Sequence, residues 1–452
     1  MQLEHAKALV VGMGRSGFET ASFLRQRGAR VTISEMAGQD EMGDAAGKFH
    51  ELGVRTEFGG HVMETFTGAD FIVVSPGVPH TIPPIRAAQD KGVPLLGEIE
   101  LASRFIKEPM IAVTGTNGKT TTTQLIGDML EQSGQTVFVG GNIGTPLISY
   151  LTGHEKAQRL VVEVSSFQLD TTTRFRPDIS LLLNISDDHL DRYPGMEAYA
   201  ESKGRILKNQ TKNDIAVLNG EDQRIRQLCD GSEPEKMFFT GRWEEEKGAD
   251  IGTHAITFHG LDPLHQPAAI ELSRVPLTCR HELENISAAG LAALAGGGTL
   301  SGIQNTLHGF RGLPHRMERV ATLDGIPFYN DSKATNVDAV LRAIECLKGP
   351  IHLIMGGRDK GGQFHLLASS IQQKVKNLIL LGEAAPDIKA ALGNLTTTRI
   401  VATMQEAVSF AHTSASPGEV VLLSPACASF DMYQDYKERG EAFRKTVCER
   451  KT

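Results

Sequence analysis

One stretch constrains this chain more than any other: residues 113–123, which read V-T-G-T-N-G-K-T-T-T-T. An apolar run, Met110–Val113, precedes the glycines, and a helical pattern, Thr121–Glu131, follows them. This order predicts a strand, a phosphate-binding loop and a helix. Backbone N–H groups and the helix N-terminus would cradle oxyanions, while Lys119 supplies a cation and Thr120 a hydroxyl for Mg²⁺. We therefore expect a nucleoside triphosphate at this loop.

The loop is shorter than the general phosphate-loop pattern, which has four residues between its first glycine and the Gly-Lys pair. Only two residues separate the glycines here. A polar turn with an incidental lysine is the simpler alternative, but it leaves the order of the parts unexplained. The candidate nucleotide contacts in the loop are Gly115, Thr116, Asn117, Gly118, Lys119, Thr120 and Thr121.

A second glycine pattern lies near the N-terminus, where an apolar strand leads into G-x-G-x-x-G beginning at Gly12. A further strand, Arg30–Ser34, ends beside Glu35. This pattern is typical of dinucleotide-binding units, in which the acid accepts a hydrogen bond from a ribose or a base. Glycines that only let a helix pack against a strand are the alternative. The segment is too short for the two halves of a nicotinamide domain, so we expect one nucleotide-binding α/β unit ending near Gly97.

Apolar runs alternate with helical patterns from residue 98 to residue 312, as a mainly parallel sheet requires. Glu163 ends one of these runs, and a carboxylate at a strand end near a phosphate loop is suited to holding Mg²⁺ on a triphosphate. A capped strand end is the alternative. His189 and Lys203 follow later runs; on residue type alone they are a hydrogen-bonding loop histidine and a solvated helix lysine.

A third unit begins after residue 312. Residues 330–336 read N-D-S-K-A-T-N at the end of a strand, and a helix cap explains only part of them because Asp331 and Lys333 stand together. Two further polar segments follow strands and contain Lys360 and Ser429. Since ligands gather at the carboxyl ends of parallel strands, these segments indicate a binding edge.

The predicted fold is α/β with three domains, in line with roughly 150 residues per domain over 452 residues. They are an N-terminal Rossmann-like unit (1–97), a central phosphate-loop ATPase-like unit with a mainly parallel sheet (98–312), and a C-terminal Rossmann-like unit (313–452). A hydrophobic content of 40% is sufficient for real cores.

The net charge of −8 and the lack of long blocks of like charge disfavour nucleic acid or an acidic membrane as a partner. Five widely spaced cysteines without a C-x-x-C pair argue against zinc ligands or a disulfide framework, and a reducing cytoplasm fits them. The N-terminal apolar run is too short for a membrane span and does not resemble a secretory signal. We expect a cytoplasmic monomer that acts on small molecules.

Several motifs together resemble the Mur ligase family, part of a superfamily of ATP-consuming, amide-forming enzymes that includes folylpolyglutamate synthetase. They are T-G-T-N-G-K-T, then N-x-S-D-D-H-L-D-R-Y followed by Y-x-x-S-K, then L-P-H-R-x-E, N-D-S-K-A-T-N, and S-P-A-C-A-S-F-D-x-Y with R-G-x-x-F. The resemblance covers essentially the whole chain. The third-unit motifs are similar to those of the members that add D-glutamate.

This resemblance implies addition of D-glutamate to UDP-N-acetylmuramoyl-L-alanine through an acyl phosphate, with ATP and two Mg²⁺ ions, in peptidoglycan precursor synthesis. It implies catalytic roles for Lys119, Glu163, His189 and Lys203, with a carbamate on Lys203. The implied metal contacts are Thr120, Glu163, His189 and Lys203.

The resemblance also implies the remaining contacts. The nucleotide would meet Asn285, Arg316, Asp331 and Lys333; Glu282 stands where the family has a first asparagine, so only Asn285 is kept from that motif. The UDP-linked substrate would meet Arg15, Ser16, Glu35, Gly77 and Asn142. D-Glutamate would meet Thr335, Lys360, Ser429 and Tyr436, the last at a position where the family often has phenylalanine.

Three rival functions remain open at this stage. A sister ligase would differ only in the amino acid or folate that it uses. An oxidoreductase would use the N-terminal glycines but leave the phosphate loop and the third unit unexplained. A non-catalytic regulator would bind or hydrolyse ATP without joining two molecules.

Overall fold

The computed structural model of the protein describes residues 1–153, 156–188, 192–240, 247–261, 267–273 and 279–451. Within these ranges the strands form three sheets that follow one another along the chain. The prediction of a three-domain α/β architecture is confirmed.

Five parallel strands form the first sheet: β1 (Lys7–Val11), β2 (Arg30–Ser34), β3 (Arg55–Glu57), β4 (Phe71–Val74) and β5 (Leu95–Gly97). Their order across the sheet is β3-β2-β1-β4-β5. The accompanying helices are α1 (Arg15–Gln26), α2 (Gln39–Met42), α3 (Asp44–Glu51), α4 (Met63–Thr67), α5 (Pro83–Asp90) and α6 (Glu98–Ser103). Alternate residues of β1 enter two different apolar clusters, so both faces of the sheet are covered.

The glycine turn after β1 is packed closely. Gly12 has a φ of 98°, and a Cβ there would lie 2.8 Å from Ser75 Oγ, while a Cβ at Gly17 would lie 2.0 Å from the carbonyl oxygen of Gly12. Neither position has space for a side chain. The glycines therefore let α1 approach the ends of β1 and β4, whatever ligand the turn also binds.

The second sheet has nine strands: β6 (Met110–Thr114), β7 (Val137–Gly141), β8 (Arg159–Glu163), β9 (Ile179–Leu182), β10 (Ile215–Leu218), β11 (Glu235–Phe238), β12 (Gly248–Ile251), β13 (Ala255–His259) and β14 (Ala268–Glu271). Their order is β14-β13-β12-β11-β10-β9-β6-β8-β7, and among the described strands only β13 runs antiparallel to its neighbours, pairing in that way with both β12 and β14. The helices are α7 (Lys119–Glu131), α8 (Tyr150–Gly153), α9 (Ser166–Leu169), α10 (Met196–Gly204), α11 (Gln223–Cys229), α12 (Arg280–Ala295) and α13 (Leu300–Gly309). The strand that leads into the phosphate loop, β6, thus lies inside the sheet.

The third sheet has six strands: β15 (Glu318–Leu323), β16 (Ile326–Asn330), β17 (Ile351–Gly356), β18 (Val375–Leu381), β19 (Thr397–Ile400) and β20 (Val420–Leu423). Their order is β15-β16-β20-β17-β18-β19, parallel except for β15. The helices are α14 (Val337–Cys346), α15 (Ala368–Lys374), α16 (Ala385–Leu392), α17 (Met404–Ser414) and α18 (Tyr436–Cys448). Short 3₁₀ turns occur at Leu147–Ser149, Arg205–Leu207, Phe364–Leu367 and Glu449–Lys451.

Two buried carboxylates of α6, the helix that follows the last strand of the first sheet, bind the backbone of the second sheet's unit. Glu98 accepts a hydrogen bond from the N–H of Ile148 at 2.6 Å. Glu100 accepts from the N–H groups of three consecutive residues, 173–175, and pairs with Arg104. Because both carboxylates hold backbone of the second unit, α6 fixes the orientation of the two sheets.

A disulfide between Cys279 and Cys346 joins the second unit to the third. The expectation that the cysteines form no disulfide framework is wrong for this pair. The two cysteines are 67 residues apart and lie at the ends of helices from different units, so no short sequence spacing could reveal them. Among the described residues, Cys229, Cys427 and Cys448 form no disulfide, and none of the described helices is both long and apolar enough to cross a bilayer.

Candidate active site

The phosphate loop leaves β6 between β8 and β9. Gly118 is left-handed, with a φ of 84°, and a Cβ there would lie 2.3 Å from Asn285 Oδ1. Helix α7 begins at Lys119, whose Nζ donates hydrogen bonds to the carbonyl oxygens of Gly115 and Thr116, both at 2.8 Å. The predicted strand, loop and helix are present, with a cation and a helix N-terminus at the loop.

Asn184, just beyond the end of β9, holds this loop in place. Its Oδ1 accepts from the N–H of Asn117 at 2.8 Å, and its Nδ2 donates to the carbonyl oxygen of Asn117 at 3.0 Å. Its own carbonyl oxygen accepts from the N–H of Thr116 at 2.9 Å. Sequence reasoning gave Asn184 no role, although it begins the motif N-x-S-D-D-H-L-D at the end of a strand, a position that could have revealed it.

Glu163 is the last residue of β8 and is 2% exposed. Its Oε1 accepts from Asn142 Nδ2 at 2.8 Å, whereas its buried Oε2 has no hydrogen-bond partner in the described part of the chain. A buried carboxylate oxygen requires a cation or a donor. Since β8 is the neighbour of β6 and Glu163 pairs in register with Val113, this oxygen lies where a Mg²⁺ ion on a loop-bound triphosphate fits.

Lys203, on α10, is 1% exposed, and its Nζ donates to the carbonyl oxygen of Gly115 at 2.8 Å. Lys119 uses the same carbonyl oxygen. Burial, and after it the charge of Lys119, holds the pKa of Lys203 well below its usual range. A lowered pKa makes the unprotonated, nucleophilic amine easier to form, and carbamate formation requires that amine. The predicted partner His189 lies outside the described residues.

A cavity of about 230 Å³ between the second and third units is lined by Thr335 and Lys360, among others. Lys360 Nζ pairs with Asp188 Oδ1 at 2.9 Å, and Asn336 Nδ2 donates to Asp188 Oδ2 at 3.1 Å. The cation expected to bind the amino acid is therefore already paired with a carboxylate of the second unit. A carboxylate ligand in this cavity would take over that pairing.

A second cavity between the same units begins at the phosphate loop. Seven of the predicted nucleotide contacts line it: Asn117, Gly118, Thr121, Asn285, Arg316, Asp331 and Lys333. Burial raises the pKa of Asp331 to about 7 and lowers that of Lys333 to about 8. Asp331 is held by the hydroxyl of Ser424, which donates to its Oδ2 at 2.9 Å. Cations and a poised carboxyl group in one cleft suit the phosphates and the ribose hydroxyls of a nucleotide.

Glu282 also lines the nucleotide cavity. Its carboxyl group accepts a hydrogen bond from the N–H of Cys279 at 3.3 Å and so caps α12. Burial raises the pKa of Glu282 to about 7.

The other two residues predicted to bind D-glutamate, Ser429 and Tyr436, lie outside the cavity that contains Thr335 and Lys360. Tyr436 begins α18, and Lys333 Nζ lies 3.8 Å from the centroid of its ring, which places Tyr436 on the nucleotide side. Ser429 is 3% exposed, and its carbonyl oxygen accepts from the N–H groups of Met432 and Tyr433. Neither Tyr436 nor Ser429 lines the cavity that holds Thr335 and Lys360.

The residues of the first unit that were predicted to bind the UDP-linked substrate lie at the edge of its sheet where the parallel strands have their carboxyl ends. The carboxylate of Glu35 accepts hydrogen bonds from the N–H groups of Met13, Met36 and Ala37. Arg15 Nη1 donates to the carbonyl oxygen of Gly144 at 2.7 Å and so reaches the second unit. Ser16 follows Arg15 in the first turn of α1, and Gly77 lies in the turn after β4. Glu35 thus holds two loops together, and Arg15 connects the first unit to the loop that carries Asn142.

Comparison with known families assigns all three units. Residues 6–97 match the Mur ligase MurD-like N-terminal domain, residues 113–293 the Mur ligase middle domain, and residues 315–427 the Mur ligase glutamate ligase domain. Together these matches cover most of the chain.

Full-length relatives and solved structures agree with this assignment. The chain is 50% identical to the UDP-N-acetylmuramoylalanine–D-glutamate ligase of Desulfatibacillum aliphaticivorans, covering 99% of both chains. It is 47% identical to the ligase of the same name from Desulfosudis oleivorans, covering 99% of this chain and 97% of that one. The MurF ligase of Thermotoga maritima in complex with ADP has the same fold, with a TM-score of 0.61 at 16% identity over 99% of this chain and 96% of that one.

Proposed function

Because this chain belongs to the Mur ligase family, we propose that it joins D-glutamate to UDP-N-acetylmuramoyl-L-alanine in a reaction that consumes ATP and supplies peptidoglycan synthesis. The observation that carries the proposal is the cleft between the second and third units, where the phosphate loop and seven predicted nucleotide contacts line one cavity. Identity of 50% to a D-glutamate ligase over the full length supports the choice of substrates.

Amide synthesis from a free carboxylate needs activation, because an oxide ion is a very poor leaving group. Transfer of the γ-phosphoryl group of ATP to the alanyl carboxylate gives an acyl phosphate, and attack by the amine of D-glutamate then expels phosphate. Lys119 and the amides of the phosphate loop would hold the triphosphate. Lys119 now donates to two loop carbonyls, so a bound phosphate would draw its ammonium group outward.

The family's dependence on ATP implies Mg²⁺. Thr120 and the Oε2 of Glu163, which has no hydrogen-bond partner among the described residues, are the oxygen ligands that would hold an ion on the triphosphate. Bound Mg²⁺ would neutralise the charge that builds up on the phosphoryl oxygens. We propose His189 and a carbamate on Lys203 as the contacts of a second ion, since a carbamate converts a lysine into an oxygen ligand.

Buried Lys203 is chemically suited to carbamate formation. Its depressed pKa leaves a fraction of the amine free to add carbon dioxide, with loss of one proton. The resulting anion would lie beside Lys119, because both side chains reach the carbonyl oxygen of Gly115. That neighbouring cation favours the charged carbamate in a buried site.

The third unit would bind D-glutamate. Lys360 and Thr335 line one cavity, and a substrate carboxylate there would replace Asp188 as the partner of Lys360. We keep Ser429 and Tyr436 as proposed contacts of D-glutamate. Tyr436 lies next to Lys333, a proposed nucleotide contact, so it would approach D-glutamate from the side of the nucleotide.

The first unit would bind the UDP-linked substrate through Arg15, Ser16, Glu35 and Gly77, with Asn142 at the sugar end. Asn142 also donates to Glu163, so it connects substrate binding to the metal position. We propose domain boundaries that give units at 1–97, 98–312 and 313–452, and we propose that the protein is a monomer. We propose a cytoplasmic location because the nucleoside triphosphate that the reaction consumes is a cytoplasmic metabolite.

The test is mass spectrometry of the products after incubation with ATP, Mg²⁺, UDP-N-acetylmuramoyl-L-alanine and a panel of amino acids. The proposal expects one new product, heavier than the UDP-linked substrate by one glutamyl residue, and only with D-glutamate. Product with another amino acid, or ATP hydrolysis without product, would contradict it.

A further inference from the structure

The disulfide between Cys279 and Cys346 crosses from the second unit to the third. Cys279 is the N-cap of α12, and Cys346 is the last residue of α14. Their Cα atoms are 5.1 Å apart, within the usual range for a disulfide. The bond therefore connects the two units that form the nucleotide cavity.

Helix α14 is held to the second unit at both of its ends. At its N-terminus, Asp338 accepts hydrogen bonds from Asn117 of the phosphate loop at 2.7 Å and from Ser186 at 3.0 Å. At its C-terminus the disulfide makes a covalent connection. Hydrogen bonds at the first end can open and close during turnover, whereas the covalent bond cannot.

The cysteines are accessible to small molecules. Both are only half-buried, and both line an open cavity of about 890 Å³ between the two units. Cys279 also stands at the N-terminus of a 16-residue helix, a position that stabilises the thiolate and so increases thiol reactivity. By contrast, Cys229 and Cys427 are buried and form no disulfide within the described part of the chain.

We propose that Cys279 and Cys346 form a reversible thiol–disulfide modification site whose oxidation locks the second and third units together and arrests turnover. In a reducing compartment such a bond is transient and acts as a redox control rather than as a permanent crosslink. Only the expected loss of product formation rests on the proposed function. The expected slowing of nucleotide release does not, because nucleotide exchange through the same cleft can be measured separately.

The oxidant is a low-molecular-weight disulfide. The Cys279 thiolate attacks one sulfur of that disulfide, forming a mixed disulfide and releasing one small thiolate. The Cys346 thiolate then attacks the Cys279 sulfur, which forms the protein disulfide and releases the second small thiolate. Two protein thiols are oxidised, one small disulfide is reduced to two thiols, and the protons of the protein thiols pass through solvent to the released thiolates.

The arrest follows from where the nucleotide binds. Residues of both units line the nucleotide cavity, so ADP release requires the third unit to move away from the phosphate loop. A covalent bond at the end of α14 prevents that movement. The crosslinked enzyme is therefore expected to release nucleotide slowly and to form product slowly.

The experiment treats the full-length enzyme with glutathione disulfide and measures three quantities. Peptide mapping tests for the 279–346 crosslink, stopped-flow fluorescence follows release of a fluorescent ADP analogue, and mass spectrometry follows product formation. We expect the crosslink in the wild type, release and turnover each at least about tenfold slower, and full recovery with dithiothreitol.

Serine variants separate this site from other cysteines. Cys346→Ser should keep the reduced wild-type rates and become insensitive to glutathione disulfide, while Cys448→Ser, which removes an exposed free thiol, should remain as sensitive as the wild type. Absence of the crosslink, or crosslinked enzyme with both rates within twofold of the reduced enzyme, would overturn the proposal, as would equal loss in Cys346→Ser. If the reduced enzyme forms no product but its nucleotide release still slows on crosslinking, the proposed ligase function fails and this inference stands.

Discussion

Asn117 in the phosphate loop donates a hydrogen bond from Nδ2 to Oδ2 of Asp338 in the third unit, at 2.7 Å. The same oxygen accepts from Ser186 Oγ at 3.0 Å and from Arg342 Nε at 2.9 Å. One carboxylate oxygen thus holds groups from two loops of the second unit. Closure of the third unit and the shape of the phosphate loop are therefore coupled through this side chain.

Replacing Asp338 by alanine should weaken ATP binding, because the amide of Asn117 loses its charged acceptor. Hydrogen bonds to a charged group contribute about 1.5–3 kcal/mol, so KM for ATP should rise by roughly ten- to a hundredfold. KM for D-glutamate should change less. Steady-state kinetics measure both. Asp387→Ala, in the first turn of α16, is the matched control and should behave like the wild type; an equal loss in both variants would show a general defect of the third unit.

Replacing Lys119 by alanine should abolish ATP use, with turnover at least about a thousandfold lower, because the loop loses the cation that stabilises the transferring phosphoryl group. Phosphate release measures the effect. Lys212→Ala, an exposed lysine of the same unit, is the control. Unchanged turnover in the Lys119 variant would remove the phosphate-loop interpretation.

Replacing Lys203 by alanine should abolish activity that added short carboxylic acids partly restore. The reason is that a small carboxylate can occupy the space of the buried side chain and supply the same oxygen ligands as a carbamate. Turnover is measured with and without acetate over a range of concentrations. Wild-type-like rates in the variant, with no response to acetate, would exclude the carbamate.

Glu98 should make the protein less stable as the pH rises. Burial raises its pKa from 4.5 to about 7 in the folded state, so unfolding releases a proton between these values. The contribution of Glu98 to the free energy of unfolding is fully present below pH 4.5 and is lost as the pH rises through 7, by about 3 kcal/mol.

Glu98→Gln, which cannot ionise, should therefore show a smaller fall in the urea midpoint between pH 5 and pH 8 than the wild type does. Glu51→Gln, at an exposed position of α3, serves as the control and should follow the wild-type curve. A Glu98→Gln curve parallel to that of the wild type would contradict the raised pKa.

Much of the fold could be predicted from the sequence, because its strands are short apolar runs between polar turns. The predicted strand Arg30–Ser34 has the bounds that the structure shows, and the apolar run Met110–Val113 is one residue shorter than the strand Met110–Thr114 that it forms. Helix α7 begins at Lys119, two residues before the prediction, because left-handed Gly118 already serves as its N-cap.

The contacts between units could not be predicted in the same way. From the sequence alone, Asp338 is interpreted as an acidic residue in the first turn of a helix, where the helix dipole stabilises a negative charge. The sequence around Lys360 does not indicate that this lysine pairs with Asp188, which is 172 residues away. Cys279 and Cys346 lack any short spacing. Each of these contacts depends on how the third unit meets the second, and no local pattern carries that information.

Oxygen transfer from the substrate tests the central claim most directly. UDP-N-acetylmuramoyl-L-alanine labelled with ¹⁸O in its alanyl carboxylate is incubated with ATP, Mg²⁺, D-glutamate and the enzyme, and the released phosphate is analysed by mass spectrometry. An acyl phosphate formed at the phosphate loop places one ¹⁸O in each phosphate released with product. Unlabelled phosphate accompanying product formation would contradict the account.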